Sequence, residues 1–147
     1  MKRLLRNIAA VLVGLVAGSA LNMGLVIAGP LVFPPPEGVD MADMENLAES
    51  IHLLGPKHFV FPFLAHALGT LFGAWVAHLL GAGRRSVLSW VVGALFLAGG
   101  IMAATMIPSP TWFLALDLLV AYLPMAWLAT RLGFLVRPAE NAPVSQA

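Results

Sequence analysis

The chain has 147 residues, no cysteine, a formal net charge of +1 and 60% hydrophobic residues. Only 10% of its residues are charged, against about 25% in a soluble domain, and mean hydropathy is +0.90. These values exclude a soluble globule, disulfides and Cys-ligated metals, and the slight basic excess calls for no nucleic-acid partner.

The chain opens with Lys2, Arg3 and Arg6, and an apolar run follows. We read a first span over residues 7–29, long enough to cross about 30 Å of hydrocarbon at about 1.5 Å per residue, with Pro30 ending it. The basic start, the run after it and Gly18-Ser19-Ala20 also fit a cleavable signal peptide. The run continues to Phe33 with no polar break beyond Asn22, which favours a span over a leader. Pro34-Pro35-Pro36 then makes a stiff polyproline stub.

The long loop that follows carries Glu37, Asp40, Asp43, Glu45 and Glu49. Met41, Met44, Leu47, Ala48, Ile51 and Leu54 recur at three- and four-residue spacing. This predicts an amphipathic helix over residues 41–54, capped by Asp40 and ended by Gly55-Pro56. Its apolar face would lie on the membrane interface or cap the bundle.

Three more spans follow, at residues 58–80, 87–107 and 111–132. The short links at 81–86 and 108–110 make consecutive spans antiparallel neighbours. Ser109 is placed to cap the last span, with Pro110 at its first position. Pro124 should kink that span by freeing the carbonyl of Val120. Trp90, Trp112 and Trp127 fall near span ends, as aromatic belts do. The domain is thus residues 1–137, and residues 138–147 read as a disordered tail.

Charge sets the orientation. Lys2, Arg3, Arg6, Arg84, Arg85, Arg131 and Arg137 all lie on one side of the four runs, and Lys57 alone lies on the other. The basic side is the cytoplasmic one. The fold class is therefore an all-α membrane protein, a four-span antiparallel bundle with both termini in the cytoplasm and the amphipathic helix outside. The Ala/Gly/Val/Leu-rich, Lys-poor composition points to a bacterial inner membrane.

In lipid, helices associate by close backbone packing, which needs small residues on one face. The first span offers Ala10, Gly14 and Gly18, with Asn22 next in register. The second offers Ala65, Gly69, Gly73, Ala77 and Gly81. The third offers Gly93 and Gly100, seven residues apart on one face. These ladders can serve packing within the chain, a homo-oligomer, or a larger membrane complex.

Three polar side chains break the apolar pattern: Asn22, His66 and Asp117. Counting along each span places all three roughly 9–12 Å beneath the outer surface at about 1.5 Å per residue. A lone carboxylate at that depth is costly, so Asp117 should pair, be protonated or line a wet cavity. His66 is the natural partner. Asn22 could bond to either one, and Thr70, Tyr122 and Thr105 are further possible members. His78 reads as an interfacial histidine. In the loop, Glu45, Glu49 and His52 form one stripe that could hold a divalent metal, although a solvated helix face explains them better, since one helix rarely supplies enough convergent ligands.

No phosphate loop, metalloprotease or serine-hydrolase motif is present, and no cofactor is implied. The leading expectation is a non-enzymatic membrane protein that binds or translocates a small solute or a proton at Asn22, His66 and Asp117. An accessory subunit, packing beside a larger complex through its Gly ladders, is the alternative. An intramembrane enzyme using His66 and Asp117 as base and acid comes third, since no nucleophile accompanies them.

Overall fold

The computed structural model describes residues 1–83 and 85–138. Among these the chain is all-helical: α1 (Lys2–Val32), α2 (Met44–Ser50), α3 (Val60–Leu80), α4 (Arg85–Met106), α5 (Thr111–Val120) and α6 (Leu123–Val136). Two 3₁₀ turns, Ile51–Leu53 and Pro56–Phe59, lead into α3. Four stretches are long and apolar enough to cross a membrane: Lys2–Val32, Pro56–Leu80, Arg85–Met106 and Thr111–Val136. The tail expected at 138–147 lies, apart from Pro138, outside the described residues.

Several boundaries differ from expectation, each for a local reason. Pro30 does not end α1 but sits inside it. A proline removes one N–H and crowds the carbonyl four residues back. Here the helix runs on, and Phe33 N–H closes on the Gly29 carbonyl at 2.8 Å. The loop helix is shorter than 41–54 and starts at Met44. Asp43, rather than Asp40, caps it, accepting from the N–H groups of Glu45 at 2.9 Å and Asn46 at 3.3 Å. The Asp40 carboxylate is spent on an Asx turn, accepting from Ala42 N–H at 2.8 Å. Ser109 makes no cap either; Pro110 occupies that position without a side-chain bond.

The last span is broken rather than kinked. Pro124 cannot donate to Val120, and α5 stops at that residue. Ala121 and Tyr122 form a turn before α6 resumes. This break has consequences for the polar cluster.

α3 is the centre of the bundle and packs against α1, α4 and α6. Its face against α1 is the predicted ladder. A Cβ built on Gly14 would lie 2.5 Å from the Gly73 carbonyl oxygen, and one on Gly18 would lie 2.5 Å from that of Gly69. No real side chain fits there, so glycine is what permits the approach. The pairs 14–73 and 18–69 run in opposite senses, which makes α1 and α3 antiparallel. Backbones this close gain dispersion contacts and Cα–H···O contacts in place of a hydrophobic driving force.

The other ladder residues are also engaged within the chain. Gly93 of α4 faces Ala126 of α6, and Gly100 lies against the Tyr122 ring. Gly81, in contrast, falls just past the end of α3 and packs under Leu88.

A second stripe on α3 (Ala67, Thr70, Ala74, His78) is fully or almost fully buried as well. His78 faces the bundle interior. It is wholly buried, stacks edge-on to Phe134 at 4.8 Å and presses on Gly133. The matching small residues on α6, Ala126, Ala129, Thr130 and Gly133, make room for it.

At this end the helix termini are tied together. Arg6 Nε donates to the Leu80 carbonyl at 2.8 Å, and Arg137 Nη1 donates to that of Gly81 at 3.1 Å. Asn7 Oδ1 accepts from Ala82 N–H at 2.8 Å. Carbonyls at a helix C-terminus lack intrahelical donors and carry partial negative charge, so two arginines are suited to them.

At the other end, the loop closes over the bundle. Ile51 and Leu54 cluster with Val39, Phe59 and Phe113, and Met41 and Leu47 pack against them. His58, buried beneath, has both ring nitrogens on backbone carbonyls: Nδ1 at 3.1 Å from Gly55 and Nε2 at 3.2 Å from Pro34. It ties the chain leaving α1 to the start of α3.

Candidate functional site

Below that roof, α3 and α5 bring two of the three singled-out side chains into contact. His66 Nδ1 lies 2.9 Å from Asp117 Oδ1 and 3.0 Å from Oδ2. Tyr122 O–H donates to Oδ2 at 2.9 Å. An N–H aimed between both oxygens, with a hydroxyl donated to one of them, is the pattern of a carboxylate accepting from two donors. Asp117 thereby holds His66 in the tautomer with the proton on Nδ1.

The contribution of Tyr122 depends on the break at Pro124. Residues five apart on an unbroken helix point about 140° away from each other at 3.6 residues per turn. The turn at Ala121–Tyr122 cancels that divergence and swings the phenol back onto Asp117. The ring also stacks beside His66, with centroids 5.7 Å apart. Both Tyr122 and Asp117 are buried, whereas the His66 side chain keeps 26% of its surface open.

His66 Nε2 has no hydrogen-bond partner among the described residues, and His66 lines two cavities. The smaller, about 340 Å³, lies between α1 and α4 and includes Ser19, Asn22, Gly99 and Tyr122 in its wall. The larger, about 590 Å³, runs beneath the loop and includes Met23, Met44, Leu47, Ile107, Phe113 and Asp117. The two meet at His66, Gly100 and Ala103. They exist because α1 packs closely on α3 but touches α4 only lightly.

The remaining candidates fall as follows. Asn22 lines the smaller cavity beside His66 but makes no hydrogen bond to His66 or Asp117 among the described residues; its Cβ packs toward Gly69. Thr70 does not join the cluster. It is fully buried on the second stripe of α3, and its hydroxyl has no partner. Thr105 turns back to the Met102 carbonyl at 2.7 Å and is exposed. Glu45, Glu49 and His52 are exposed, and no group of three metal-capable side chains converges among the described residues. Ser19 shares a cavity with His66 but forms no hydrogen bond with it among the described residues.

Sequence reasoning raised His58 only as a possible extra metal ligand, and a cavity only as one way to accommodate Asp117. His58 sits at a span boundary, where a histidine attracts little attention, and the cavities result from the splay of α1 and α4. His78 had a legible signal, its four-residue spacing after Thr70 and Ala74.

Fold and site together define a class: an all-helical chain with four helices fit for a multi-pass membrane protein, and a hydrogen-bonded His–Asp–Tyr cluster inside the bundle. Comparison with known protein families, with curated proteins and with solved structures finds no match.

Proposed function

We propose that this chain is a bacterial inner-membrane protein, both termini cytoplasmic, that binds a small solute at His66, Asp117 and Tyr122. The basic residues gathered at one end of the helices support the orientation, by the positive-inside rule. The cluster and its cavities then belong to the outward half. One observation carries the binding reading: Asp117 orients His66 from behind and leaves Nε2 facing a cavity. His58 and His78 are enclosed by protein, whereas His66 keeps 26% of its side-chain surface open. Ionisable side chains inside a membrane bundle mark ligand or proton pathways by default.

The accessory-subunit reading relied on Gly ladders left for a partner. Those ladders are occupied inside the chain, by Gly73 and Gly69 against α1 and by Tyr122 and Ala126 against α4, so a partner would have to use another face.

The test is native mass spectrometry of the full chain, extracted from its own membrane into nanodiscs. A bound small molecule should accompany the wild type. It should be lost in His66→Phe and reduced in Asp117→Asn, with folded yield unchanged. A chain that carries nothing, or variants that fail to accumulate, would assign the cluster to helix adhesion instead.

A further inference from the structure

Resting on that reading, we infer that the ligand is a neutral, membrane-dissolved lipophile with a hydroxyl head, and that His66 Nε2 accepts its O–H. Three observations select this class.

The first is the proton position. Nδ1–H points between both Asp117 oxygens, which in the neutral ring leaves the lone pair on Nε2. A neutral imidazole donates at one nitrogen and accepts at the other. The ligand must therefore donate. An alcohol or phenol does so, whereas a ketone, an ether or a hydrocarbon does not.

The second is the charge of the walls. Among the described residues no lysine or arginine lines either cavity, and the ionisable side chains there are His58, His66, Asp117 and Tyr122. A phosphate or carboxylate head would lie beside the Asp117 carboxylate with no cation to offset it. A metal ion would find one carboxylate and a single open imidazole nitrogen, too few ligands for a dedicated site.

The third is the body of the site. Apart from Ser19, Asn22, Ser109 and the groups already named, the lining is apolar or glycine, and the loop roofs it with Met41, Met44 and Leu47. A volume of about 590 Å³ suits a drug-sized apolar molecule with one polar anchor. Entry is from the side. Where a Cβ of Gly99 would stand there is open space, on the wall between α1 and α4. A water-soluble sugar or ion would have no complementary surface along this route.

The experiment uses the full chain in phosphatidylcholine nanodiscs, avoiding sugar-headed detergents that carry hydroxyls themselves. The probe is a long-chain alcohol bearing a mid-chain diazirine, with labelled peptides mapped by mass spectrometry. Label is expected on α1 near Met23 and on α4 near Ala103–Ile107. Unlabelled 1-dodecanol should compete about tenfold better than its methyl ether, the matching 2-ketone or dodecanoate, the factor of one buried hydrogen bond. In His66→Phe that preference should vanish. Ala103→Phe, which fills the junction of the two cavities, should suppress labelling altogether. Equal competition by alcohol, ether and ketone would overturn the hydroxyl assignment while leaving the cavity as a binding site. Label confined to the exposed lipid-side residues of α1, such as Leu12 and Val16, would overturn both.

Discussion

Asp117 accepts from His66 across 51 residues of chain at 2.9 Å, and it does so from a helix that stops three residues later. The bond joins the central helix α3 to the segment before the Pro124 break. The same carboxylate receives Tyr122 from the turn at that break. One buried side chain thus ties together α3, α5 and the turn that leads into α6.

This arrangement predicts pairwise coupling. In a double-mutant cycle of His66→Ala and Asp117→Ala, measured by denaturation in mixed micelles, the coupling should be about 1 kcal/mol, the range for interhelical polar bonds in membranes. Tyr122→Phe alone should cost about 0.6 kcal/mol. A coupling near zero would show that the contact does not persist in lipid.

Pro124→Ala should alter Tyr122 more than it alters stability. Restoring an N–H at 124 lets Val120 keep its helical partner and favours one continuous helix. The phenol then turns away from Asp117. Tyr122 is the only tyrosine in the chain, so fluorine NMR of 3-fluorotyrosine reads this site alone. The resonance should move toward its position in Asp117→Asn. An unmoved resonance would mean that packing against Gly100, rather than the proline, sets the break.

The α1–α3 interface should tolerate no side chain. Gly18→Leu is expected to cost about 1–3 kcal/mol by overpacking, with Gly14→Val similar. Gly24, with nothing within 4 Å of a built Cβ, supplies the control. Gly24→Ala should be neutral or slightly stabilising, since alanine is the better helix former. Equal behaviour of Gly18 and Gly24 variants would refute the close approach.

Gly133 and His78 should show compensation. A Cβ on Gly133 would collide with the imidazole ring. Gly133→Ala should therefore destabilise by about 1–3 kcal/mol. Adding His78→Ser, which shortens the opposing side chain, should recover part of that loss. No recovery would place the strain elsewhere on α6.

Much of the architecture was legible because a bilayer imposes strict rules on sequence. Four apolar stretches, their short links and the one-sided basic residues follow from length, hydropathy and charge. The small-residue ladders Ala10–Gly14–Gly18 and Ala65–Gly69–Gly73–Ala77 could be read because helical periodicity places them on one face. The His66–Asp117 pairing was legible as a shared depth, since rise per residue converts position into height.

Height is all that such counting supplies. It groups Asn22 and Thr70 with His66 and Asp117, because depth along a span says nothing of azimuth around it. Thr70 lies one turn from His66 yet its hydroxyl makes no bond to the pair, and Asn22 reaches the cavity without reaching the pair. Likewise, Pro30 and Pro124 look alike in sequence, but α1 continues through the first and the last span breaks at the second. Local chemistry removes one hydrogen bond in each case, and the surrounding packing decides whether the helix survives it. The sequence by itself determined which residues must lie within the apolar layer and at what height. Only the tertiary structure decided which of them meet, because rotation about each helix axis and the splay of α1 from α4 are set by contacts between residues far apart in the chain.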